Sequence, residues 1–181
     1  AAAINVMRTR RSMPEASYLS LRPFASAGAR GLIGAGFGIK PEDSEFEAMR
    51  TEFLDQYESA IAVHSKLFEH VPALLHGLDS LKLPWGIVTN KAKRFTRPLV
   101  PLLDLEQARC VVCGDTTPHA KPHPEPLFEA ARRLRLDPAH CWYVGDDERD
   151  IVAGKAAGMQ TLAATYGYLG ASAKWQHWGA N

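Results

Sequence analysis

Three aspartates lie close together in the sequence, at Asp146, Asp147 and Asp150, directly after the apolar run Cys141–Val144. Carboxylates this close repel one another, and a bound cation relieves the repulsion. Mg²⁺ takes few protein carboxylates and completes its octahedron with water and phosphate oxygens. Acidic residues are also common in the first turn of an ordinary helix. Because three carboxylates are more than a helix start needs, the pattern favours a metal site.

Two further segments carry groups suited to a phosphate. Thr89, Asn90 and Lys91 follow an apolar run, and a hydroxyl with backbone N–H groups at a strand-to-helix turn can hold phosphate oxygens. Lys121 lies in the proline-rich run His119–Pro126, where a restricted backbone can fix an ammonium beside a phosphate. Taken singly, the first segment is more often a helix cap and the second a solvated lysine.

The elements around these residues alternate between short apolar runs and helical patterns. The apolar runs predict four strands, and the residues between and around them predict helices: strands at Trp85–Thr89, Cys110–Cys113, Cys141–Gly145 and Thr161–Thr165, and helices at Val71–Leu81, Ala92–Leu103, Glu125–Leu134 and Asp147–Gly158. This alternation predicts a parallel, doubly wound Rossmann-like α/β core. Since ligands bind at the carboxyl ends of parallel strands, we expect Thr89, Lys121 and Asp146 to converge on one phosphate-sized space.

The first third of the chain has a different pattern. Phe46, Met49 and Phe53 recur every three or four residues and predict a helix over Glu45–His64. The Gly-rich stretch Ser26–Ile39 predicts a shorter helix that allows close approach of a neighbour. The pattern changes near Ser65–Phe68. We therefore expect a helical domain at residues 1–66 and an α/β domain at residues 67–181.

Composition bounds the possible partners. The net charge is +1 and there is no basic stripe, which argues against a nucleic-acid partner. No apolar run approaches the ~20 residues of a membrane span. Cys110 and Cys113 lie within a β-branched apolar run, where neither a redox thiolate nor a zinc site is favoured. We expect reduced cysteines in a cytoplasmic protein that is a monomer or a homodimer.

Taken together, the order and spacing of these segments resemble a known family. Thr89 after an apolar strand, then Lys-Pro-x-Pro from Lys121, then Gly-Asp-Asp-x-x-Asp from Gly145 resemble motifs II, III and IV of the haloacid dehalogenase superfamily. The helical first third resembles its cap domain. Trp85–Phe95 and Val144–Ile151 are similar to the phosphoglycolate phosphatase group and, within it, to bacterial N-acetylmuramic acid 6-phosphate phosphatases.

The resemblance implies a Mg²⁺-dependent phosphatase for a small phosphorylated metabolite, with an aspartyl-phosphate intermediate. It implies that Thr89 binds the phosphoryl group with a backbone donor from Asn90, and that Lys121 stabilises the phosphate and the nucleophile. It also implies a role for each aspartate: Asp146 would ligate Mg²⁺, with Asp147 beside it and Asp150 as a ligand or a support for one. Arg30 and Arg94 are expected to contact the substrate, and for both the alternative is a surface charge. Closure of the cap would exclude water and select the substrate.

One part of the family pattern is not found in these 181 residues. The superfamily's motif I, Asp-x-Asp-Gly-Thr, supplies the nucleophile and the general acid–base, and no Asp-x-Asp occurs here. We therefore expect a fragment that lacks the first core strand and the C-terminal end, and that is inactive alone. In this superfamily that strand lies between those predicted at Trp85–Thr89 and Cys141–Gly145. Either these two strands close up, another chain fills the gap, or residues outside these 181 supply the strand. The alternatives are a non-catalytic relative that binds phosphate or metal, or a phosphomutase or dehalogenase of the same superfamily.

Overall fold

The computed structural model describes residues 1–61, 63–170 and 174–181. Its helices and strands follow one another in this order: α1 Ala2–Arg10, α2 Tyr18–Leu21, α3 Gly28–Phe37, α4 Phe46–Ser59, α5 Val71–Ser80, β1 Ile87–Val88, α6 Lys93–Leu102, β2 Val111–Val112, α7 Glu125–Leu134, β3 Trp142–Gly145, α8 Glu148–Ala156 and β4 Gln160–Ala163. Short 3₁₀ helices lie at Arg22–Ala27, Pro138–His140 and Trp175–His177. None of the described helices combines the length and apolarity needed to cross a bilayer.

The chain forms two compact units. The first contains Ala1–His64 and the segment that begins at Tyr168, and the second contains Ser65–Gly167 and Lys174–Asn181. In the first unit the apolar faces of α1, α2, α3 and α4 meet in one core: Ile4, Met7, Leu21, Ile33, Phe46, Met49 and Phe53 are buried there. Gly36 lets α3 approach α1, because a Cβ at Gly36 would lie 2.7 Å from Ile4 Cγ2.

Two helical predictions for the first unit were wrong in their extent. The helix predicted over Glu45–His64 runs from Phe46 to Ser59, and Ala60 after it leaves the helical conformation with a φ of −130°. The helix predicted over Ser26–Ile39 is split into the 3₁₀ helix Arg22–Ala27 and α3. The break falls at Gly28, whose φ of 62° belongs to the left-handed region that glycine tolerates.

In the second unit the strands form two parallel pairs. β1 pairs with β2, with Ile87 opposite Val111, and β3 pairs with β4, with Trp142 opposite Gln160. Helices α7 and α8 cover them, and buried Leu127 and Ala153 belong to the same apolar cluster. The described strands are shorter than predicted, but each lies within or next to its predicted range.

The facing edges of β1 and β3 are open. Within the described part of the chain, no ladder joins these two strands, so they have not closed up. Ile87 donates its N–H to the Cys110 carbonyl and Thr89 to the Val112 carbonyl, so the backbone groups of Val88 between them face the free edge. On β3, Trp142 and Val144 are 66% and 49% exposed. The sequence predicted a parallel core that lacks its first strand, and the two separate pairs agree with a gap between β1 and β3.

Candidate functional site

Thr89 lies at the carboxyl end of β1, in the turn that leads to α6. Its N–H donates to the Val112 carbonyl at 2.9 Å, and its hydroxyl oxygen accepts from the Lys91 N–H at 3.1 Å. These two bonds hold the side chain at the strand end, where a strand-to-helix turn can present donors to an anion.

Asn90 joins this turn to the loop that carries Lys121. Its side-chain Nδ2 donates to the Lys121 carbonyl at 2.8 Å, and its Oδ1 accepts from the Lys121 N–H at 3.0 Å. The loop after β2 also lies against the turn, because the Gly114 N–H donates to the Lys91 carbonyl at 2.9 Å. A Cβ at Gly114 would lie 2.2 Å from the Asn90 carbonyl oxygen, so only glycine fits. The side chain of Asn90 therefore fixes the backbone of Lys121, a role that the sequence did not predict.

The ammonium of Lys121 is the centre of a buried network. Its Nζ lies 2.8 Å from Asp150 Oδ1, 2.8 Å from the Tyr143 hydroxyl and 3.0 Å from the Val88 carbonyl oxygen. The Lys121 side chain is 10% exposed and that of Asp150 is 9% exposed. A lysine ammonium has three N–H donors, and here each has an acceptor. The network links the carboxyl end of β1 with the start of α8.

Tyr143 was not predicted as part of the site. Burial raises the pKa of its phenol well above the usual value, and the charge of Asp150 adds to the effect. The hydroxyl therefore keeps its proton and lies 3.3 Å from the Val88 carbonyl and 3.4 Å from Asp150 Oδ1. The available sequence signal was a hydroxyl inside an otherwise apolar strand, where a buried polar group needs a partner.

Asp147 and Asp150, in the acidic loop after β3, both accept hydrogen bonds from protein donors. Asp147 caps α8 by accepting from the Arg149 N–H at 3.0 Å, and the Arg149 guanidinium binds both of its oxygens at 2.7 and 2.8 Å. The hydrogen bond from Arg149 lowers the pKa of Asp147. Asp150 Oδ2 accepts from the Asp147 N–H at 3.2 Å, which completes a capping box.

Asp146 packs against Gly167 at the end of the second unit's main segment. A Cβ on Gly167 would lie 2.3 Å from both the Cβ and the Oδ2 of Asp146. Across the described residues, no three His, Cys, Asp or Glu side chains are grouped closely enough to hold a metal ion by themselves. The loop thus offers Asp146 as a carboxylate ligand with two aspartates near it in sequence.

The two predicted arginines lie on different units. Arg94 is exposed on α6 of the second unit, with its guanidinium carbon 4.5 Å from the centre of the Phe95 ring. Arg30 is exposed on α3 of the first unit. The second unit brings together the segments of Thr89, Lys121 and Asp150, and the substrate contacts of both arginines stay predictions.

A family model gives these segments their context. Residues 31–164 match the model described as haloacid dehalogenase-like hydrolase, which is more than half of the chain. The chain belongs to the haloacid dehalogenase-like hydrolases. The predicted family and its α/β fold class are therefore confirmed.

Relatives of this hydrolase family narrow the comparison. The chain is 41% identical over 181 residues to an N-acetylmuramic acid 6-phosphate phosphatase of Pseudomonas putida, covering 99% of this chain and 81% of the relative. It is 40% identical over 169 residues to a phosphoglycolate phosphatase of Xanthomonas campestris, covering 92% and 76%. The crystal structure of a predicted phosphoglycolate phosphatase from Haemophilus somnus matches with a TM-score of 0.78 at 25% identity, covering 93% and 78%. The resemblance to these two groups is confirmed, and the chain is a phosphatase-type member of the family.

The donor set of the hydrolase site suits the divalent cation that the resemblance implies. The side chains Asp146, Asp147 and Asp150 offer only oxygen, the donor that Mg²⁺ prefers over nitrogen and sulfur. Lys121 pairs with Asp150 and Arg149 pairs with Asp147, so each of these cations already has a carboxylate partner. A phosphate dianion placed here would add negative charge beside the aspartates, which a divalent cation would neutralise.

Proposed function

We propose that this chain forms the cap and most of the core of a phosphomonoester phosphatase. Its substrate is a small phosphorylated metabolite of the N-acetylmuramic acid 6-phosphate or phosphoglycolate type, as the names of its relatives suggest. The observation that carries the proposal is the buried network of Lys121, which ties an ammonium to the carboxyl end of β1.

Lys121 supplies a fixed positive charge at the place where phosphate oxygens would lie. Asp150 orients the ammonium, and release of the Val88 carbonyl would leave one of its N–H groups for a phosphate oxygen. Thr89 adds a hydroxyl, and the turn after it adds backbone N–H groups. Together these groups suit the binding of one phosphoryl group.

Asp146 is the proposed ligand for Mg²⁺, with Asp147 and Asp150 supporting the loop around it. When bound, the cation neutralises phosphate charge and polarises its oxygens. Asp147 serves chiefly to start α8 and to hold Arg149, and Asp150 chiefly to orient Lys121. Loss of Asp150 would therefore disturb the position of Lys121 more than it would weaken the binding of Mg²⁺.

We propose that the 181 residues alone do not hydrolyse a phosphate ester. They contain no Asp-x-Asp. Asp147 is paired with Arg149, Asp150 is paired with Lys121, and Asp146 is the proposed Mg²⁺ ligand, so we assign none of the three as the attacking group. A fixed ammonium, a hydroxyl and a metal ligand position a phosphate but do not replace a nucleophile.

The test measures phosphate release from N-acetylmuramic acid 6-phosphate, phosphoglycolate and other phosphomonoesters in the presence of Mg²⁺. The 181-residue chain is compared with a version extended by an N-terminal strand that ends in Asp-x-Asp-Gly-Thr. We expect turnover only by the extended chain, and a loss of about 10²-fold or more in its Thr89→Ala and Lys121→Ala variants. The control Lys155→Ala, on the exposed side of α8, keeps full activity.

Two results would contradict the proposal. Equal turnover by the two chains would show that the nucleophile lies within the 181 residues. An extended chain that hydrolyses no phosphomonoester, yet binds phosphate through Thr89, would instead favour the second candidate, a phosphate-binding module. The observation that favours this second candidate is the absence of Asp-x-Asp from these residues.

A further inference from the structure

A cleft of about 750 Å³ opens at the amino ends of β1 and β2. Trp85 precedes β1, Arg109 precedes β2, and the Arg109 N–H donates to the Trp85 carbonyl at 2.9 Å. The cleft thus lies at the opposite end of β1 from Thr89. Its volume falls within the range of about 300–1,000 Å³ that is usual for small-molecule sites.

Positive charge dominates the lining of this amino-end cleft. Four cationic side chains line it: Lys82, Arg109, Arg133 and Arg135. Asp79 is the one acidic residue among the described residues that line it, and its Oδ1 accepts from the Trp85 indole N–H at 2.9 Å. An excess of cations around a concave surface concentrates anions there.

Only one of the four cations has a structural role in the described part of the protein. Arg133 donates to Glu129 Oε1 at 2.6 Å and to the Val111 carbonyl at 3.0 Å. The side chains of the other three, Lys82, Arg109 and Arg135, make no hydrogen bond or ion pair with the described residues. Lysines and arginines often complement the negative ends of helices, but unengaged guanidinium groups suit bidentate binding of phosphate.

Two of these cations occupy strained backbone positions. Lys82 follows α5 with a φ of 57°, and Arg135 caps α7 with a φ of 58°. Glycine or asparagine usually fills the left-handed position after a helix, because a side chain is disfavoured there. Both positions instead carry a cation that lines the same cleft.

The cleft also has an apolar part. Trp85 is half-buried with its indole N–H engaged by Asp79, and half-buried Leu134 lies in the same lining. Aromatic side chains bind nucleobases by stacking, and nearby cations bind the attached phosphates. We propose that the amino-end cleft binds a nucleoside polyphosphate, with the phosphates on Lys82, Arg109 and Arg135 and the base against Trp85.

Calorimetric titration of the 181-residue chain with ATP, tripolyphosphate and adenosine tests the proposal. ATP is expected to bind more tightly than either of the others, and its affinity is expected to fall as the salt rises from ~50 to ~300 mM. The Lys82→Gly/Arg135→Gly double variant should lose about tenfold or more in ATP affinity, since two phosphate contacts disappear. The Thr89→Ala variant should bind ATP like the parent, because Thr89 lies at the other end of β1.

Stability measurements separate loss of the site from loss of the fold. Each glycine relieves a positive φ, so the double variant should unfold at a higher temperature while it binds ATP more weakly. Asp104, with a φ of 54° and no place in the cleft, supplies the matched control. Asp104→Gly should raise the unfolding temperature and leave ATP affinity unchanged.

Four results would overturn the proposal. These are no ATP binding at millimolar concentration, unchanged affinity in the double variant, tripolyphosphate binding as tight as that of ATP, and loss of ATP binding in Thr89→Ala.

Discussion

Replacing Lys121 by methionine removes the charge at the centre of the buried network while keeping most of the side-chain volume. The carboxylate of Asp150, 9% exposed, then loses its ion-pair partner. The Tyr143 hydroxyl and the Val88 carbonyl each lose a contact with the ammonium, at 2.8 and 3.0 Å. A buried charge without its partner is among the most destabilising changes that a single substitution can make.

The size of the loss follows from what remains around Asp150. Breaking a buried ion pair by removing one partner costs about 3–5 kcal/mol. Asp150 still accepts from the Asp147 N–H at 3.2 Å and lies 3.4 Å from the Tyr143 hydroxyl. Since these donors offset part of the loss, we expect a decrease of about 3 kcal/mol in the free energy of unfolding for Lys121→Met.

Urea unfolding at neutral pH, followed by tryptophan fluorescence and circular dichroism, measures this change as a lower midpoint at an unchanged m-value. Lys155→Met is the control: within the described ranges its Nζ donates to the Gly179 carbonyl alone, at an exposed position, so the expected change is below about 0.5 kcal/mol. A double variant with Asp150→Asn should be more stable than the sum of the single losses predicts, by about 1–3 kcal/mol. A loss under about 1 kcal/mol for Lys121→Met, or strict additivity with Asp150→Asn, would refute the reasoning.

Three further changes probe other parts of the second unit. Tyr143→Phe removes a buried hydroxyl that contacts three partners and should lower the free energy of unfolding by about 1–2 kcal/mol in urea; an unchanged midpoint would contradict the network. Gly114→Ala forces a Cβ against the Asn90 carbonyl and should destabilise by about 1–3 kcal/mol, whereas the control Gly77→Ala, in open space on α5, should stabilise. Hydrogen bonds from its two arginine partners lower the pKa of Glu129 from 4.5 to about 2. That contribution is complete above the unfolded pKa and is lost as the pH falls through the folded one. Glu129→Gln should therefore be less stable than the parent at neutral pH, by under about 1 kcal/mol, and equal to it near pH 2 in urea titrations; a difference that does not vary with pH would contradict this.

The sequence predicted the elements of the second unit best where local signals were strong. Helix α7 was predicted and is observed at Glu125–Leu134. Helix α8 starts one residue later than predicted because Asp147 is its cap rather than its first residue. The strands are shorter than predicted because each extends only over the residues that pair with a neighbouring strand, and an apolar run contains no information about that neighbour.

The candidate site could be predicted from the sequence only in part. Order and spacing placed Thr89, Lys121 and the aspartates after their strands, because the carboxyl ends of parallel strands share one side. The side-chain bonds of Asn90 and Tyr143 were not predictable. They depend on how the fold brings together residues that are separated by 31 positions in one case and by 55 in the other.

The Val88 carbonyl has a consequence for any strand that adds to β1. It accepts hydrogen bonds from the Lys121 ammonium and the Tyr143 hydroxyl, which occupy the open edge of β1. An incoming strand would offer its own N–H to the same oxygen and displace both side chains at once. Pairing of a strand with β1 and release of the Lys121 ammonium from the Val88 carbonyl would then occur together. Lys121 would therefore become available to a ligand only after that strand has paired.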